Sequence, residues 1–315
     1  MPNLKDIRRR IKSVRNTQKI TQAMRMVAAA KVKRAEARLK AARPFGEYLE
    51  SVFASVYQEA SRNRRSLEGT RYLELFNPRP PQKVGVVVIS SDRGLCGAFN
   101  ATIIRQAFKL ERSIRERGLS PSFYLVGRKA ATAFQRYSDA PALGRMVDMT
   151  ATPSSHDADV IAETLTQAFL SGEIDSIAIL STHFKSMISY RAMMTPVLPL
   201  QGSITQLSSD IALDAIGDRV NPMFSPGKAH PQLELEPTPA LALERLTPLY
   251  LSNILYIRLL ESAASELAAR MTAMASATSN AADIIQKLTL QYNKARQAAI
   301  TQEILEVVSG AQALA

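Results

Sequence analysis

Residues 249–274 read LYLSNILYIRLLESAASELAARMTAM, a run of good helix formers that contains neither Gly nor Pro. The run continues without either residue to Gly310, which is typical of a helix C-terminal stop. Thr247 and Pro248, which precede it, are typical of an N-cap and a first helical position. The sequence therefore predicts a helix of about sixty residues, about 90 Å long at about 1.5 Å per residue.

Apolar residues recur along this helix mostly at steps of three and four, close to the 3.5-residue repeat of a coiled coil. They are Leu246, Tyr250, Ile254, Ile257, Leu260, Ala264, Leu267, Met271, Met274, Ile285, Leu288, Tyr292, Ala295 and Ala299. A globular domain rarely needs so long a helix, so we expect it to pair with a second long helix.

The N-terminal segment supplies that second helix, because no Gly or Pro stands between Pro2 and Pro44. Asn3, with Asp6 three residues later, is typical of a helix start. An apolar stripe of this helix breaks at Thr17 and Gln18; its members are Leu4, Ile7, Ile11, Val14, Ile20, Met24 and Val27. We predict an antiparallel coiled coil of the two terminal helices.

The middle of the chain alternates predicted strands and helices. Residues 84–89, VGVVVI, are typical of a strand buried on both faces of a parallel sheet. Further strands are predicted at 123–126, 174–180 and 189–197, and helices at 98–117, 127–137 and 157–170. The pattern predicts a Rossmann-like α/β domain inserted between the two rod helices. The predicted boundaries are 1–60, 61–240 with a Pro-rich excursion at 201–240, and 241–315.

Composition excludes several classes of protein. The single cysteine forms no internal disulfide, and three separate histidines, His156, His183 and His230, have no metal-site spacing, so we interpret them as ordinary histidines. No apolar run approaches the roughly 18 residues of a membrane span, and the charged N-terminus lacks a signal-peptide core, so we expect a soluble, unexported chain.

The strand-to-helix turn at residues 91–100, SDRGLCGAFN, is the most conspicuous local motif. Amides at such a turn can hold phosphate, but the motif has neither a GxGxxG nor a GK[ST] spacing. We therefore interpret Gly94, Cys96 and Gly97 as parts of a structural turn. No group of acids, bases and nucleophiles indicates an enzyme that acts alone.

Positive charge is concentrated at the N-terminus. Residues 1–43 hold 14 Lys or Arg and only two acidic residues, Asp6 and Glu36, which accounts for the whole formal net charge of +12. A nucleic-acid grip, a membrane-surface helix and a rod helix facing an acidic protein surface all fit such a segment. The apolar stripe within the segment argues against a groove-reading helix, and the lack of aromatic residues before Phe45 argues against a membrane surface.

Three blocks, residues 7–31, 91–100 and 292–314, resemble the gamma subunit of F-type ATP synthase, in the family's order and over essentially the whole chain. The resemblance implies a rotating, non-catalytic central stalk without a cofactor or small-molecule ligand. Such a stalk would carry torque between the membrane c-ring and the catalytic hexamer. The implied partners are three alpha and three beta subunits, the epsilon and delta subunits and the c-ring, with no nucleic acid. The implied location is the cytoplasmic face of a bacterial inner membrane, as a peripheral subunit.

The resemblance also implies which residues couple the stalk to beta. Met24 matches a family methionine at the beta contact, and the other matched residues or their charged neighbours are Lys19, Arg25, Lys31, Glu266, Arg270, Arg296, Gln297 and Thr301. The apolar end at 307–315 would turn within an apolar sleeve. Glu236 and Pro237 match the foot that touches the membrane ring, although the family's aromatic residues are missing there. A nucleic-acid-binding coiled coil and an α/β enzyme are the alternatives.

Overall fold

The computed structural model describes residues 4–62, 73–76, 79–200 and 238–313. It contains five α-helices, five strands and a short 3-10 helix within these ranges. The helices are α1 (Leu4–Arg62), α2 (Phe99–Glu116), α3 (Arg128–Tyr137), α4 (Ser155–Leu170) and α5 (Pro239–Ala313), and the 3-10 helix is Leu73–Phe76. The strands are β1 (Lys83–Ile89), β2 (Ser120–Val126), β3 (Ala142–Met146), β4 (Ser176–Ser186) and β5 (Ser189–Leu198).

The strands form one sheet in the order β3-β2-β1-β4-β5. The first four strands are parallel, and β5 runs antiparallel to β4. In the register of the central strands, Val87 stands between Tyr124 of β2 and Ile179 of β4. The predicted fold class, an α/β sheet domain combined with long terminal helices, is confirmed, although β3 was not predicted.

Both faces of the sheet are covered, which explains why the central strands are almost continuously apolar. On one face, Val87, Ile89 and Ile179 pack in a core that also contains residues of α1, α4 and α5. On the other face, Val86, Val88 and residues of α2 and α3 form the second core.

The chain forms two compact units, one of residues 1–30 with 270–315 and one of residues 31–269. The boundaries of these units fall inside α1 and α5. The sequence-based boundaries at 60 and 240 instead follow the ends of the long helices, and they stay a prediction.

Within residues 31–269, α1 and α5 run antiparallel. Arg43 contacts Glu261 and, further along α1, the ring of Phe53 stacks on that of Tyr250 with centroids 4.4 Å apart. Phe53 is 1% exposed, so the stack lies in the core between the sheet and the helices. The stacked rings bury more apolar surface in this part of the helix pair than alanine side chains would.

The predicted start of α5 was wrong. The helix begins at Pro239, and the Thr238 hydroxyl accepts the N–H of Leu241 at 3.3 Å, so Thr238 with Pro239 supplies the N-cap pattern. Pro248 lies inside the helix, and the Thr247 hydroxyl donates to the carbonyl of Leu243.

One further expected helix limit was wrong, because α5 continues past Gly310 to Ala313. α1 contains Pro44 and ends at Arg62. A helix can retain an internal proline when its apolar face is buried in tertiary contacts, as the buried Leu49 and Phe53 are. Asn3, the expected start of α1, lies outside the described residues.

Candidate functional site

The unit formed by residues 1–30 and 270–315 holds most of the residues that the resemblance assigns to the beta contact. Along this part of α1, the buried and half-buried positions are Ala29 and a series at steps of three and four: Leu4, Ile7, Ile11, Val14, Gln18, Thr21, Met24 and Ala28. The series has the spacing that the seam of a coiled coil requires. Lys19 and Arg25 are exposed, and Met24 is half-buried between the seam and the surface.

The stripe predicted for this part of α1 was wrong at two positions. Ile20 is 60% exposed and Val27 is 56% exposed, whereas the polar Gln18 and Thr21 lie in the seam. Thr21 is accommodated because its hydroxyl lies 2.8 Å from that of Thr278 on α5. Ile20 and Val27 point away from the seam, and like Met26 they expose large apolar side chains on a helix rich in basic residues.

The residues assigned on the C-terminal part of α5 are exposed. Arg296, Gln297 and Thr301 are at the surface, and the Thr301 hydroxyl donates to the carbonyl of Gln297 at 2.9 Å. Arg270 is half-buried in this unit and has an interaction partner.

Large apolar side chains are also exposed toward the end of α5. Among them, Leu305 is 61% exposed and Val307 is 72% exposed; Ile300, Ile304 and Val308 are exposed as well. An isolated chain gains nothing from exposing these residues to water, so the surface has the character of a contact surface.

Two of the assigned residues belong to the other unit. Lys31 is exposed there, but Glu266 is only 5% exposed. Glu266 lines the carboxyl edge of the sheet with Ser90, Ser91 and Ser262. A carboxylate that is buried within its own chain has no surface to offer to a partner, so we leave Glu266 out of the contact surface.

The position of Glu266 also bears on the enzyme alternative. In open α/β sheets, ligands bind at the carboxyl edge where the strand order reverses, which in this sheet is between β1 and β4. Here α5 fills that crevice, and the cavity left between Leu259, Ala263, Ser90 and their neighbours has a volume of only about 10 Å³. A nucleotide needs a pocket of several hundred Å³.

The turn at residues 91–100 is held together by its own side chains. The Asn100 amide oxygen accepts the N–H of Ser91 at 3.0 Å, and the Ser91 hydroxyl donates to the carbonyl of Arg93 at 2.7 Å. Cys96 is 2% exposed and packs against Phe99. Gly97 has a φ of 58°, which favours glycine, whereas the left-handed residue beside Gly94 is Leu95 with a φ of 63°.

The turn continues into a carboxylate network that sequence reasoning missed. Asp92 Oδ1 accepts the N–H groups of Arg128 and Asp148, and Oδ2 accepts the N–H and the hydroxyl of Thr150. Burial alone would raise the pKa of Asp92, but these hydrogen bonds hold it below its usual value. The network ties together the carboxyl ends of β1, β2 and β3; its only signal in the sequence is an acidic residue soon after a predicted strand.

The histidines do not all have the surroundings that we expected. His156 is exposed, and His230 lies outside the described residues. His183, interpreted as an ordinary histidine, has its Nδ1 3.0 Å from the buried carboxylate of Glu261. In the described ranges, no group of His, Cys, Asp or Glu has the arrangement of a metal site.

Two further expectations concern the membrane. Over the residues that the structure covers, no helix has both the length and the apolar composition needed to span a bilayer. Glu236 and Pro237, the residues matched to the foot, fall outside the described residues.

Comparison with known proteins gives a consistent result. The family model described as ATP synthase matches residues 3–314. The ATP synthase gamma chain of Synechococcus sp. strain JA-2-3B'a(2-13) is 47% identical, and that of Nostoc punctiforme is 43% identical. Both alignments cover 100% of this chain and 100% of the relative.

Solved structures of ATP synthases share the fold. A chain of the central stalk and c-ring structure of the Tetrahymena thermophila mitochondrial ATP synthase has a TM-score of 0.56 and 26% identity, over 82% of this chain and 99% of that one. A chain of the Euglena gracilis mitochondrial ATP synthase has a TM-score of 0.63 at 18% identity, over 99% of this chain and 94% of that one, and it shows the fold alone. Together with the full-length relatives, these matches mean that the chain belongs to the ATP synthase gamma chain family.

Proposed function

We propose that the chain is the rotating central stalk of an F-type ATP synthase, and that it transmits torque without catalysing a reaction itself. Full-length identity of 47% to a gamma chain is the observation that carries this proposal. The filled crevice at the carboxyl edge of the sheet supports a non-catalytic role, because a Rossmann-like sheet without that crevice has lost its usual ligand site.

The proposed partner of the unit at residues 1–30 and 270–315 is a hexamer of three alpha and three beta subunits. The exposed basic residues Lys19 and Arg25 flank Met24 and suit an acidic surface of beta. On α5, Arg296, Gln297 and Thr301 offer polar groups to the same hexamer.

The proposed action of the stalk on the catalytic sites follows from the asymmetry of a single chain within a threefold ring. A single stalk inside a ring of three alpha–beta pairs presents a different face to each catalytic site. Rotation then favours a different conformation of each site in turn, because a site changes state only when its contacts with the stalk differ between states. The apolar end of α5, including Val307, makes few directional hydrogen bonds and so adds only low barriers to rotation.

The remaining partners are proposals of the same kind. The α/β part of the chain would contact the epsilon subunit and the membrane c-ring, and Glu236 with Pro237 would form part of that foot. The delta subunit would complete the complex. The proposed location is the cytoplasmic face of a bacterial inner membrane, where the chain is peripheral.

Reconstitution tests this function. The chain is mixed with the alpha and beta subunits of the Synechococcus enzyme, and assembly and ATP hydrolysis are measured. We expect a stable complex whose cooperative hydrolysis exceeds that of alpha and beta alone. If no complex forms, or if the chain binds duplex DNA tightly with a steep salt dependence instead, the proposal is wrong.

A further inference from the structure

The β4–β5 hairpin extends beyond the rest of the sheet. β1 pairs with β4 only from Ser176 to Leu180, so residues 181–186 of β4 have β5 as their one strand neighbour. The end of a two-stranded hairpin is only marginally stable by itself. Its position must therefore be fixed by contacts with other elements.

Phe184, near the end of this hairpin, provides an apolar contact with both long helices. It is 4% exposed and packs in a cluster with Val32 and Leu39 of α1 and with Leu260 and Leu267 of α5. All of these residues lie within the unit at 31–269.

A buried carboxylate lies beside this apolar contact. The side chain of Glu261 on α5 is 3% exposed, and Arg258 Nη1, one turn away on the same helix, lies 2.8 Å from its Oε2. Arg43 Nη2 of α1 donates to Glu261 Oε1 at 3.1 Å, and His183 Nδ1 of β4 lies 3.0 Å from the same oxygen. Arg43 also reaches the carbonyl of Phe184 at 3.5 Å. One carboxylate thus contacts groups from all three elements that meet here.

The charges are arranged so that Glu261 stays ionised. Burial alone would raise its pKa, but His183, Arg258 and Arg43 hold the pKa below its usual value. An ionised carboxylate with partners on different elements resists displacement of any one of them, because displacement leaves a buried charge without a partner.

We propose that Arg43, His183, Arg258 and Glu261 form a clamp that fixes the β4–β5 hairpin to both long helices and stiffens this junction against torque. This proposal rests on the proposed function, since only a rotating stalk has torque to carry here. The four are positioning residues: they contact no catalytic site and act by holding the sheet to the helices.

Arg43→Gln is the variant that tests the clamp most cleanly. It removes the contact between α1 and the carboxylate but leaves the pair of Arg258 and Glu261 in place, so the variant retains a partner for the buried charge. Arg115→Gln is the matched control, because Arg115 Nη2 lies 3.1 Å from Glu111 Oε1 and its side chain is 44% exposed, against 42% for Arg43. Arg115 Nη2 also lies 2.6 Å from Asp139 Oδ1, and neither Glu111 nor Asp139 belongs to a long helix.

Hydrogen exchange of the full chain measures the local restraint. We expect Arg43→Gln to raise the exchange of the protected amides in residues 181–191 by about tenfold, the effect of losing one partly exposed charge-assisted hydrogen bond. Amides of β1 and β2 should exchange as in the parent chain, and Arg115→Gln should leave the hairpin unchanged. Unchanged exchange in the hairpin, or an equal rise throughout the sheet, would overturn the clamp.

Rotational fluctuations measure the role in torque. A bead is attached through Lys109→Cys, an exposed position on α2, in a complex whose alpha and beta subunits are fixed to a surface. We expect the angular variance of the paused rotor to increase with Arg43→Gln and not with Arg115→Gln. Equal variance despite faster hairpin exchange would overturn the torque role. If the parent chain does not assemble with alpha and beta, the proposed function is wrong, while hydrogen exchange still decides whether the clamp exists.

Discussion

A polar pair in the coiled-coil seam offers a quantitative test of how the two terminal helices are held together. The hydroxyls of Thr21 and Thr278 lie 2.8 Å apart. The Thr21 hydroxyl is also 3.0 Å from the carbonyl of Gln18, and the Thr278 hydroxyl is 2.7 Å from the carbonyl of Met274. The two hydroxyls have two protons between them for three contacts, so at any moment one contact lacks a proton.

This arrangement makes single and double substitutions behave differently. Thr21→Val alone should cost about 1 kcal/mol, because the hydrogen bond across the seam is lost and the oxygen of the remaining hydroxyl is left without its donor. Thr278→Val alone should cost about the same. The double variant should cost less than the sum of the two, by about 1 kcal/mol, because no hydroxyl oxygen is then left unpaired in the seam and the valines pack there.

Hydrogen exchange of residues 14–28 and 274–285 in all four proteins gives the four free energies of the cycle. Thr289→Val is the control, since the Thr289 hydroxyl bonds to the carbonyl of Ile285 in the same way but is exposed. The control should change the free energy by less than about 0.5 kcal/mol. Additive single and double costs would refute the interpretation that the two hydroxyls are coupled across the seam.

Further substitutions test the other sites. Met24→Lys adds a charge at the proposed beta contact and should lower the number of protons pumped per ATP hydrolysed in membrane vesicles; an unchanged ratio would contradict that contact. Asp92→Asn should lower the thermal stability of the α/β unit by about 2–4 kcal/mol, since charge-assisted hydrogen bonds are lost; an unchanged melting temperature would show the network to be dispensable. Phe53→Ala removes a buried ring stacked on Tyr250 and should cost about 3–5 kcal/mol in urea unfolding. The lowered pKa values of Asp92 and Glu261 mean that their stabilisation is complete above the carboxyl pKa of the unfolded chain and is lost as pH falls through the folded value; an acid titration followed by circular dichroism should show that loss, and a more stable protein at acid pH would contradict it.

The fold class was predictable because its strongest signals are local. The β-branched run at 84–89 and the long stretches without Gly or Pro identify β1, α1 and α5 without any tertiary information. β3, with the sequence ALGRM, has no such run, and its strand conformation depends on pairing with β2.

Tertiary contacts account for the helix ends and the seam that sequence patterns misplaced. Pro248 is typical of a helix start, but it lies inside α5, with the buried Leu243 and Tyr250 in the turns on either side of it. A local pattern places the apolar Ile20 in the seam rather than Thr21. It cannot detect the hydroxyl of Thr278, 257 residues away, which pairs with Thr21 and allows this polar residue to lie in the seam.

In the candidate site, too, residues within one contiguous segment were predictable and residues from distant segments were not. The resemblance could propose residues for the beta contact because the family blocks are contiguous, as in the run from Lys19 to Lys31. The clamp was missed because it brings together Arg43, His183 and Glu261 from three distant segments. No spacing rule relates such residues before the sheet and the helices are in place.

Direct observation of rotation tests the central claim. A complex of this chain with alpha and beta subunits is fixed to a surface through beta, a bead is attached to the exposed position 109, and ATP is added. If the chain is the central stalk, the bead should turn continuously in one direction, and its rate should follow the rate of ATP hydrolysis. A bead that only fluctuates while the complex hydrolyses ATP at full rate would contradict the claim that this chain is the rotor.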